Sequence, residues 1–461
     1  MPLDSTDPIA NPAFDAFAEG VRRPWNDMDT LIDLARVLYR YDDFHALVRS
    51  FEDDPAVVRL LIERPDVGVD FDALADSPVG SLGAALHARH GDDPFVCFDF
   101  GGSPVHTYLV CHLLETAPLW NTVLDTDPED DTRLLQLAFV AAQVPTAPVL
   151  AFLARNLSKV GLERFDRHDA AMGSLVQGWT LGRRARSLLG ADWPALTRRP
   201  LEEVRADFGI TAADAAKNRR CSSALRAGDP VLMDDVDTEA FLEAMGRIVL
   251  LPYGGTGFET GAALREALVN PPRVGEFAKQ MFSQEALAAR GQERPRLGDL
   301  DLASLHELPE GSLGRIFGDH MALKEFEPPP AVPENESDFA RYFTAHIIET
   351  HDLWHVVTGA RTDKAGECAL HSFYTGQLSP LPVQLAYVAR CILKTAIWDM
   401  DLATRHLDGV ARGWILARRV APLALVDWRS EFDRPLEAVR ARFEVPAEGI
   451  DAVPLDTGDL V

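Results

Sequence analysis

Two stretches of the chain share one pattern at a distance of 235 residues (413 minus 178). Residues 178–205 read GWTLGRRARSLLGADWPALTRRPLEEVR, and residues 413–440 read GWILARRVAPLALVDWRSEFDRPLEAVR. Both contain Gly-Trp, a pair of arginines, Asp-Trp and Pro-Leu-Glu-x-Val-Arg in the same register. Chance does not keep such a register, and internal repeats indicate repeated structural units. We therefore predict that the chain is a tandem duplication.

Earlier segments extend the repeat. Gly-Ser-Leu-Gly occurs at residues 80–83 and 311–314, in each case two positions after a proline. His-x-x-Glu-Thr-x-x-Leu-Trp occurs at 112–120 and 346–354. A repeat of roughly 200 residues is an ordinary size for one domain. A chain of 461 residues with 47% apolar content can bury more than one core. We predict two homologous domains, residues 1–215 and 235–461.

The apolar pattern predicts helices. Residues 148–158 and 381–396 have apolar side chains at spacings of three and four, which is typical of helices. Residues 94–100 are the one clear candidate for a strand. The predicted fold class is all-α, with the two mostly helical domains in tandem and packed as a pseudo-dimer.

Charge and composition exclude several classes of protein. The 45 basic and 71 acidic residues give a net charge of -26, which repels nucleic acid and anionic lipid headgroups. No apolar run is long enough for a transmembrane segment. The five cysteines are scattered and form no Cys-x-x-Cys pair, which indicates a reducing compartment and argues against a disulfide framework. Residues 1–14 contain two aspartates and no basic residue, unlike a secretory or mitochondrial leader.

The two copies differ at one group of polar residues. The second copy contains, in order, His351, Asp352, His355 and Glu367. At positions lower by 234, the first copy has Ala117, Pro118, Asn121 and Arg133. The Leu-Trp pair inside the group is kept in both copies. Four polar residues differ together between the copies, while the Leu-Trp pair between them is the same. This pattern indicates one functional unit, present in the second domain only.

These residue types predict a metal site. Histidines at i and i+4 project from one side of a helix and can chelate one cation. We expect one helix over residues 341–357 with both histidines facing inward, ended by Gly359, after which Glu367 reaches back from the next helix. Two imidazoles with one or two carboxylates suit a divalent Zn, Fe, Mn or Co ion, and an open coordination position would permit catalysis.

Neighbouring polar residues have simpler interpretations. A histidine pair alone is often structural, but burying it with two acids and no cation is costly, which favours the metal. His371 lies one turn beyond Glu367 and is expected to be a further ligand or a partner of the ligands. His346 has a counterpart in His112 of the first copy, so we predict a packing or capping role for both. Glu349 is expected to point into solvent.

The His-Asp-x-x-His element, followed by eleven residues and Glu, resembles the signature of the Coq4 family of ubiquinone biosynthesis proteins. The flanking Gly-Ser-Leu-Gly and the closing Asp-Trp with Pro-Leu-Glu-x-Val-Arg are similar to that family too. The resemblance covers most of residues 240–446 and, without the ligands, most of 30–210. Two departures are the fusion of two copies and His371, where the family is expected to have a lysine.

The resemblance implies a metal-dependent oxidative decarboxylase. Its substrate would be a polyprenylated benzenoid precursor of ubiquinone, whose ring carboxyl at C1 is replaced by hydroxyl. His351, His355 and Glu367 would hold the metal, and Asp352 would be a fourth ligand or the catalytic proton-transfer group. The family also implies peripheral membrane contact and other quinone-biosynthesis enzymes as partners. Together with composition, this gives an expected location in the bacterial cytoplasm or at the inner membrane.

The sequence is also compatible with two other functions. One is a non-catalytic scaffold that binds lipid and organises biosynthetic enzymes, with a purely structural metal. The other is a metal-dependent hydrolase, because His-Asp-x-x-His superficially resembles the His-Glu-x-x-His helix of zinc peptidases.

Overall fold

The structure is a computed structural model. It describes residues 11–25, 27, 29–39, 47, 51, 53–90, 103–127, 132–226, 238–250, 285–324, 339–378 and 382–461.

The N-terminal half of the described chain contains helices α1 to α11. Their bounds are α1 Pro12–Arg22, α2 Asp29–Leu38, α3 Pro55–Glu63, α4 Leu82–His90, α5 Pro104–Leu124, α6 Leu134–Gln143, α7 Ala147–Glu163, α8 His168–Arg184, α9 Trp193–Leu196, α10 Leu201–Asp207 and α11 Ala212–Arg226. Short 3-10 helices lie at Asp72–Asp76 and Phe165–Arg167. Residue 215, the predicted end of the first domain, lies inside α11.

The C-terminal half contains helices α12 to α21. Their bounds are α12 Thr238–Leu250, α13 Glu285–Glu293, α14 Leu302–Leu305, α15 Leu313–Lys324, α16 Phe339–Glu349, α17 His351–Thr358, α18 Lys364–Gln377, α19 Pro382–Trp398, α20 Ala403–Arg419 and α21 Leu436–Arg442. The 3-10 helices here are Met400–Leu402, Trp428–Glu431 and Gly449–Ala452.

The all-α prediction is confirmed. Across the described ranges the extended pairing is limited to two isolated bridges, Ser81 with Pro200 and Ser312 with Pro435. The candidate strand at 94–100 lies outside the described residues. None of the described helices has the length and apolar character needed to cross a bilayer. The expectation about cysteines is wrong for Cys111, which is disulfide-bonded.

The two bridges belong to a set of matching contacts in the two halves. Leu82 N donates to Arg199 O at 2.9 Å, and Leu313 N donates to Arg434 O at 2.8 Å. Another matching pair is aromatic. The edge-to-face contacts Trp120–Phe139 and Trp354–Phe373 have centroid distances of 5.9 and 5.7 Å. These matches support a duplication, which stays a prediction.

Glycines let two helix pairs approach closely. A Cβ added at Gly178 of α8 would lie within 3.0 Å of Leu135 O of α6. A Cβ added at Gly413 of α20 would clash in the same way with Ala369 O of α18. Because protein interiors are close-packed, these backbones cannot separate without opening a void. The glycine in α20 therefore fixes the position of α18, the helix that carries Glu367.

Contacts also join the two halves. Helix α7 packs against α19, and α8 packs against α20. Trp179 Nε1 donates to Asp408 Oδ1 at 2.9 Å, and Thr457 Oγ1 donates to Gln177 Oε1 at 2.6 Å. These contacts support the predicted pseudo-dimer without deciding where one domain ends.

The single helix expected over residues 341–357 is wrong. Helix α16 ends at Glu349, and α17 begins at His351, with Thr350 at φ -96° and ψ 0°. The hydroxyl of Thr350 bonds to His346 O, but the equivalent Thr116 bonds to His112 O within the unbroken α5. The two halves also differ here at Glu349, which forms a buried ion pair with Arg296.

Candidate metal centre

Two helices and a short loop position the predicted ligands. His351 and His355 lie one turn apart on α17, which ends at Gly359 with a φ of 72°. A left-handed φ favours glycine and reverses the chain at a helix end. Asp363 then caps α18 by accepting a hydrogen bond from Gly366 N at 2.9 Å. The first turn of α18 therefore places Glu367 opposite the two histidines.

Three of the four predicted ligands come together. His355 Nε2 lies 3.1 Å from Glu367 Oε1, and His351 Nε2 lies 3.7 Å from Glu367 Oε2. One ligand atom from each of the three residues lies within 4.8 Å of the others. Two imidazole nitrogens and a carboxylate oxygen at such separations can converge on one cation.

The hydrogen bonding of His355 bears directly on a metal. Its Nδ1 lies 3.0 Å from Ala360 O, and its side chain is 1% exposed. A carbonyl can only accept, so Nδ1 donates, and in the neutral ring Nε2 carries a lone pair. That lone pair faces a carboxylate oxygen of Glu367, so a proton or a cation must lie between the two acceptors. An outer hydrogen bond that orients the ring in this way is usual for metal-binding histidines.

His351 is partly accessible, with 31% of its side chain exposed, as is Glu367 with 33%. Its ring stacks on Tyr374 at 5.9 Å, and Tyr374 Oη lies 3.3 Å from Nδ1. Burial, followed by the charges of Asp352 and Glu367, raises the pKa of Tyr374 well above its usual value. The phenol therefore stays protonated and orients the ring. The exposed side of His351 gives a small molecule access to the centre.

Glu367 is held as a carboxylate. Burial by itself would raise its pKa, but hydrogen bonds with His351 and His355 outweigh burial and hold the pKa of Glu367 well below its usual range. In return, Glu367 outweighs the burial of His351 and raises the pKa of that imidazole. The anionic carboxylate between two imidazoles is the charge arrangement that a divalent cation would complete.

Asp352 and His371 lie beside this cluster. Asp352 is half-buried on α17 and is not part of the group with ligand atoms within 4.8 Å of one another. His371 Nε2 lies 3.9 Å from Glu367 Oε2, and its ring stacks on Tyr387 at 4.6 Å. Burial, followed by the positive charge of Arg390, holds the pKa of His371 well below its usual range. Its neutral ring is thus available as a ligand or as a partner of Glu367.

Sequence reasoning missed His320 of α15. Burial lowers the pKa of His320, and the charge of His355 lowers it further while that of Asp352 opposes the change. His320 therefore lies on a third helix within electrostatic range of His355 and Asp352. No spacing in the sequence links it to the other histidines, because α15 meets α17 only through the tertiary fold.

The predictions for the residues before the centre had mixed outcomes. Glu349 does not point into solvent: it is 3% exposed and paired with Arg296. His346, predicted to have a packing or capping role, is 1% exposed; its Nδ1 bonds to Pro295 O at 3.0 Å and its Nε2 accepts from Leu425 N at 3.1 Å, so it links separate backbone segments.

The chain is similar to proteins named for ubiquinone biosynthesis. The family model described as "Coenzyme Q (ubiquinone) biosynthesis protein Coq4" matches residues 262–448. A human relative, "Ubiquinone biosynthesis protein COQ4 homolog, mitochondrial", is 34% identical over 214 residues, 44% of this chain and 71% of the human protein. The mouse protein of the same name is 30% identical over 158 residues, covering 32% of this chain and 56% of its own length.

A solved structure gives a weaker match. The crystal structure of a protein from Nostoc punctiforme, named for ubiquinone biosynthesis, is 20% identical in sequence to this chain, with a TM-score of 0.40. The match covers 46% of this chain and 99% of the Nostoc chain. This similarity is too low to support an argument. The chain spans between about half and two thirds of the length of the mouse, Talaromyces stipitatus and cattle relatives, at 56%, 66% and 63%.

The predicted bacterial, cytoplasmic location is contradicted by these comparisons. The human, mouse and Talaromyces stipitatus relatives are all named as mitochondrial proteins. The prediction rested on composition and on the charges of residues 1–14, and neither of these properties reports where related proteins reside.

Proposed function

This chain belongs to the Coq4 family of ubiquinone biosynthesis proteins, and we propose that its C-terminal half is a metal-dependent oxidative decarboxylase of a polyprenylated benzenoid precursor. One observation carries the metal-dependent part. His355 Nε2 is buried and lies 3.1 Å from Oε1 of the Glu367 carboxylate, a position where a proton or a cation must lie between the two atoms and which a cation would satisfy. The N-terminal half has Asn121 and Arg133 at the equivalent positions.

The donor set fits a divalent Zn, Fe, Mn or Co ion held by His351, His355 and Glu367. When bound, the ion would supply Lewis-acid or redox chemistry at the carboxyl group of the substrate. The remaining positions for ligands would face the exposed side of His351. His371 is placed to support Glu367 or to join the ligands.

The proposed reaction breaks the bond between C1 and its carboxyl carbon, releases carbon dioxide and attaches hydroxyl to C1. This change is a two-electron oxidation of the ring, for which dioxygen is the proposed oxidant. With water as the source of the hydroxyl oxygen, the aromatic acid, water and dioxygen give the phenol, carbon dioxide and hydrogen peroxide. Asp352 is the proposed proton-transfer group, because it is half-buried, adjacent in the chain to His351 and outside the ligand cluster. The polyprenyl chain would lie in an apolar groove between helices.

We also propose that the N-terminal half, predicted as residues 1–215, is a degenerate copy that acts as a structural partner of residues 235–461. The matching hydrogen bonds of Leu82 and Leu313, and the packing of α7 on α19, support this arrangement. Other quinone-biosynthesis enzymes and a membrane surface are the proposed partners in this pathway.

A non-catalytic scaffold is the second candidate. The observation that favours it is the N-terminal half itself, which keeps a buried aromatic core but has no histidine or carboxylate at the four positions equivalent to the predicted ligands. In that case the metal would serve only to stabilise the C-terminal half, and its removal would lower the melting temperature sharply.

The test is metal content by mass spectrometry on the full chain, purified without added metal. About one equivalent of metal is expected in the wild type, because the three donors form one site. His355→Ala should lose it, whereas Asn121→Ala, the matched variant in the N-terminal half, should keep it. A wild type that holds no metal even after reconstitution would overturn the metal-dependent function. A metal that stabilises folding but supports no decarboxylation would favour the scaffold.

A further inference from the structure

Two arginines occupy equivalent positions in the two halves. Arg155 of α7 and Arg390 of α19 are 235 residues apart (390 minus 155), and the two helices begin 235 residues apart as well (382 minus 147). Each guanidinium lies over an aromatic ring one turn earlier, that of Phe152 at 5.7 Å and that of Tyr387 at 5.5 Å. The two side chains therefore leave their helices in the same way.

All N–H donors of the Arg155 guanidinium have acceptors within the protein. Its side chain is completely buried. It donates to four main-chain carbonyl groups and one side-chain amide: Gly20 O at 2.8 Å, Arg23 O at 3.1 Å, Pro24 O at 2.6 Å, Trp25 O at 3.3 Å and Asn156 Oδ1 at 2.7 Å. A guanidinium has five N–H donors, so this set saturates it. Arg155 is a structural residue.

Arg390 is not saturated in this way. It donates to Cys391 Sγ at 3.3 Å, a single sulfur acceptor in the place of the Asn156 amide. A hydrogen bond with Cys368, together with the charge of Arg390, lowers the pKa of the Cys391 thiol to about 6. Its Nε is buried without a hydrogen-bond partner among the described residues. Within those same ranges, its guanidinium has no carboxylate in ion-pair contact. A buried Nε–H without an acceptor is costly, and the bond to one sulfur leaves room for a further acceptor on this guanidinium.

The free guanidinium lies beside the metal centre. Tyr387 connects the two, because Arg390 lies over its ring and the His371 ring stacks on it at 4.6 Å and 14°. His371 in turn lies 3.9 Å from the Glu367 carboxylate. An anion held by Arg390 would therefore be adjacent to the centre.

We propose that Arg390 is a substrate-positioning residue that binds the carboxylate of an aromatic acid at the metal centre. A planar guanidinium and a planar carboxylate can form two parallel hydrogen bonds, which fixes the orientation of the ring as well as its position. The identity of the acid rests on the proposed function, whereas the carboxylate site rests on the contrast with Arg155. In the N-terminal half the same site cannot exist, since Arg155 has no donor left.

The test compares two ligands that differ only in the carboxyl group, 3-geranyl-4-hydroxybenzoate and 2-geranylphenol. Their dissociation constants are measured by calorimetry on the full metal-loaded chain. The wild type should bind the acid about 10- to 100-fold more tightly than the phenol, as is typical for hydrogen bonds to charged groups. Arg390→Met should lose that preference without changing the affinity for the phenol, the metal content or the melting temperature. Arg390→Lys should restore part of it.

Two further probes separate the possible failures. Benzoate tests the carboxylate site without a prenyl chain, and inorganic phosphate tests for a different anion. Arg390-dependent binding of benzoate, with no turnover of the prenylated acid, would support this inference and overturn the proposed function. Equal binding of the acid by wild type and Arg390→Met would overturn this inference and leave the proposed function standing. Failure of every carboxylate to bind the wild type, or stronger Arg390-dependent binding of phosphate, would also overturn it.

Discussion

Replacing Glu349 with Gln is expected to destabilise the half of the chain that holds the metal centre. The Glu349 side chain is 3% exposed and its partner Arg296 is 14% exposed. Arg296 Nε donates to Glu349 Oε2 at 2.9 Å, and Arg296 Nη2 donates to Oε1. Gly298 N also donates to Oε2, at 3.2 Å. The substitution keeps the shape of the side chain and removes its charge.

The magnitude follows from this geometry. Removing one partner of a buried ion pair costs about 3–5 kcal/mol. A glutamine keeps one oxygen that can accept from Arg296 or Gly298, so the lower end, about 3 kcal/mol, is expected. For a unit of about 200 residues, each kcal/mol lowers the melting temperature by about 2–4 °C. The half with the candidate metal centre should therefore melt roughly 6–12 °C lower in Glu349→Gln.

The effect should depend on pH. Burial would raise the pKa of Glu349, but hydrogen bonds from Arg296 and Gly298 outweigh it and lower the pKa below its usual value. A carboxylate with a depressed pKa stabilises the fold above its unfolded pKa of about 4.3 and loses that contribution as pH falls through the folded value. The difference between wild type and variant should be constant above about pH 5.5 and shrink below about 4.3.

The assay is calorimetric melting of the full chain across this pH range, scored on the transition that responds to metal. Glu115→Gln is the matched control, since Glu115 occupies the equivalent position in the N-terminal half. Burial, and then the charge of Asp66, raises the pKa of Glu115, so neutralising it should not destabilise the protein. A shift of less than about 2 °C for Glu349→Gln, or equal shifts for the two variants, would refute the reasoning.

Two further predictions concern the helix contact and the buried imidazole before the centre. Gly413→Ala should lower both the metal content and the melting temperature, because its Cβ would clash with Ala369 O and displace α18; Gly178→Ala, with the same clash at Leu135 O, should lower only the melting temperature. Burial lowers the pKa of His346 to about 4. The buried neutral imidazole should contribute fully to stability above its unfolded pKa of about 6.5, and this contribution should decline as pH falls towards 4. In denaturant titrations, the free energy of unfolding of His346→Gln should therefore depend less on pH over that window than that of the wild type. Equal metal loss in both glycine variants, or parallel pH profiles, would contradict these expectations.

Local patterns in the sequence were sufficient to predict the fold class and the three clustered donors. His351 and His355 meet because one helical turn separates them, and Gly359 with the capped start of α18 returns the chain to Glu367. Such geometry depends on residues that are near each other in sequence. The prediction therefore needed neither the packing of distant helices nor the exact start of α17.

The sequence could not predict contacts made by distant segments. Helical periodicity placed Glu349 on an outward face, but Arg296 lies 53 positions earlier and reaches it only in the folded chain. His320 approaches the centre from α15 for the same reason. Arg390 is the third example, because its unsaturated donors become apparent only when the contacts of Arg155 are known.

The equivalent positions in the two halves act as internal controls for assigning roles. Where both halves make the same contact, as with the Trp120–Phe139 and Trp354–Phe373 pairs, packing explains the residues. The guanidinium of Arg155 has an acceptor for each of its N–H donors, whereas that of Arg390 keeps an unpartnered Nε, so packing explains only Arg155. Arg390 lies on the side that also holds the imidazole and carboxylate donors. A cation site and an anion site side by side are what a reaction at the carboxyl group of an aromatic acid requires, so the two proposals support one another through separate residues.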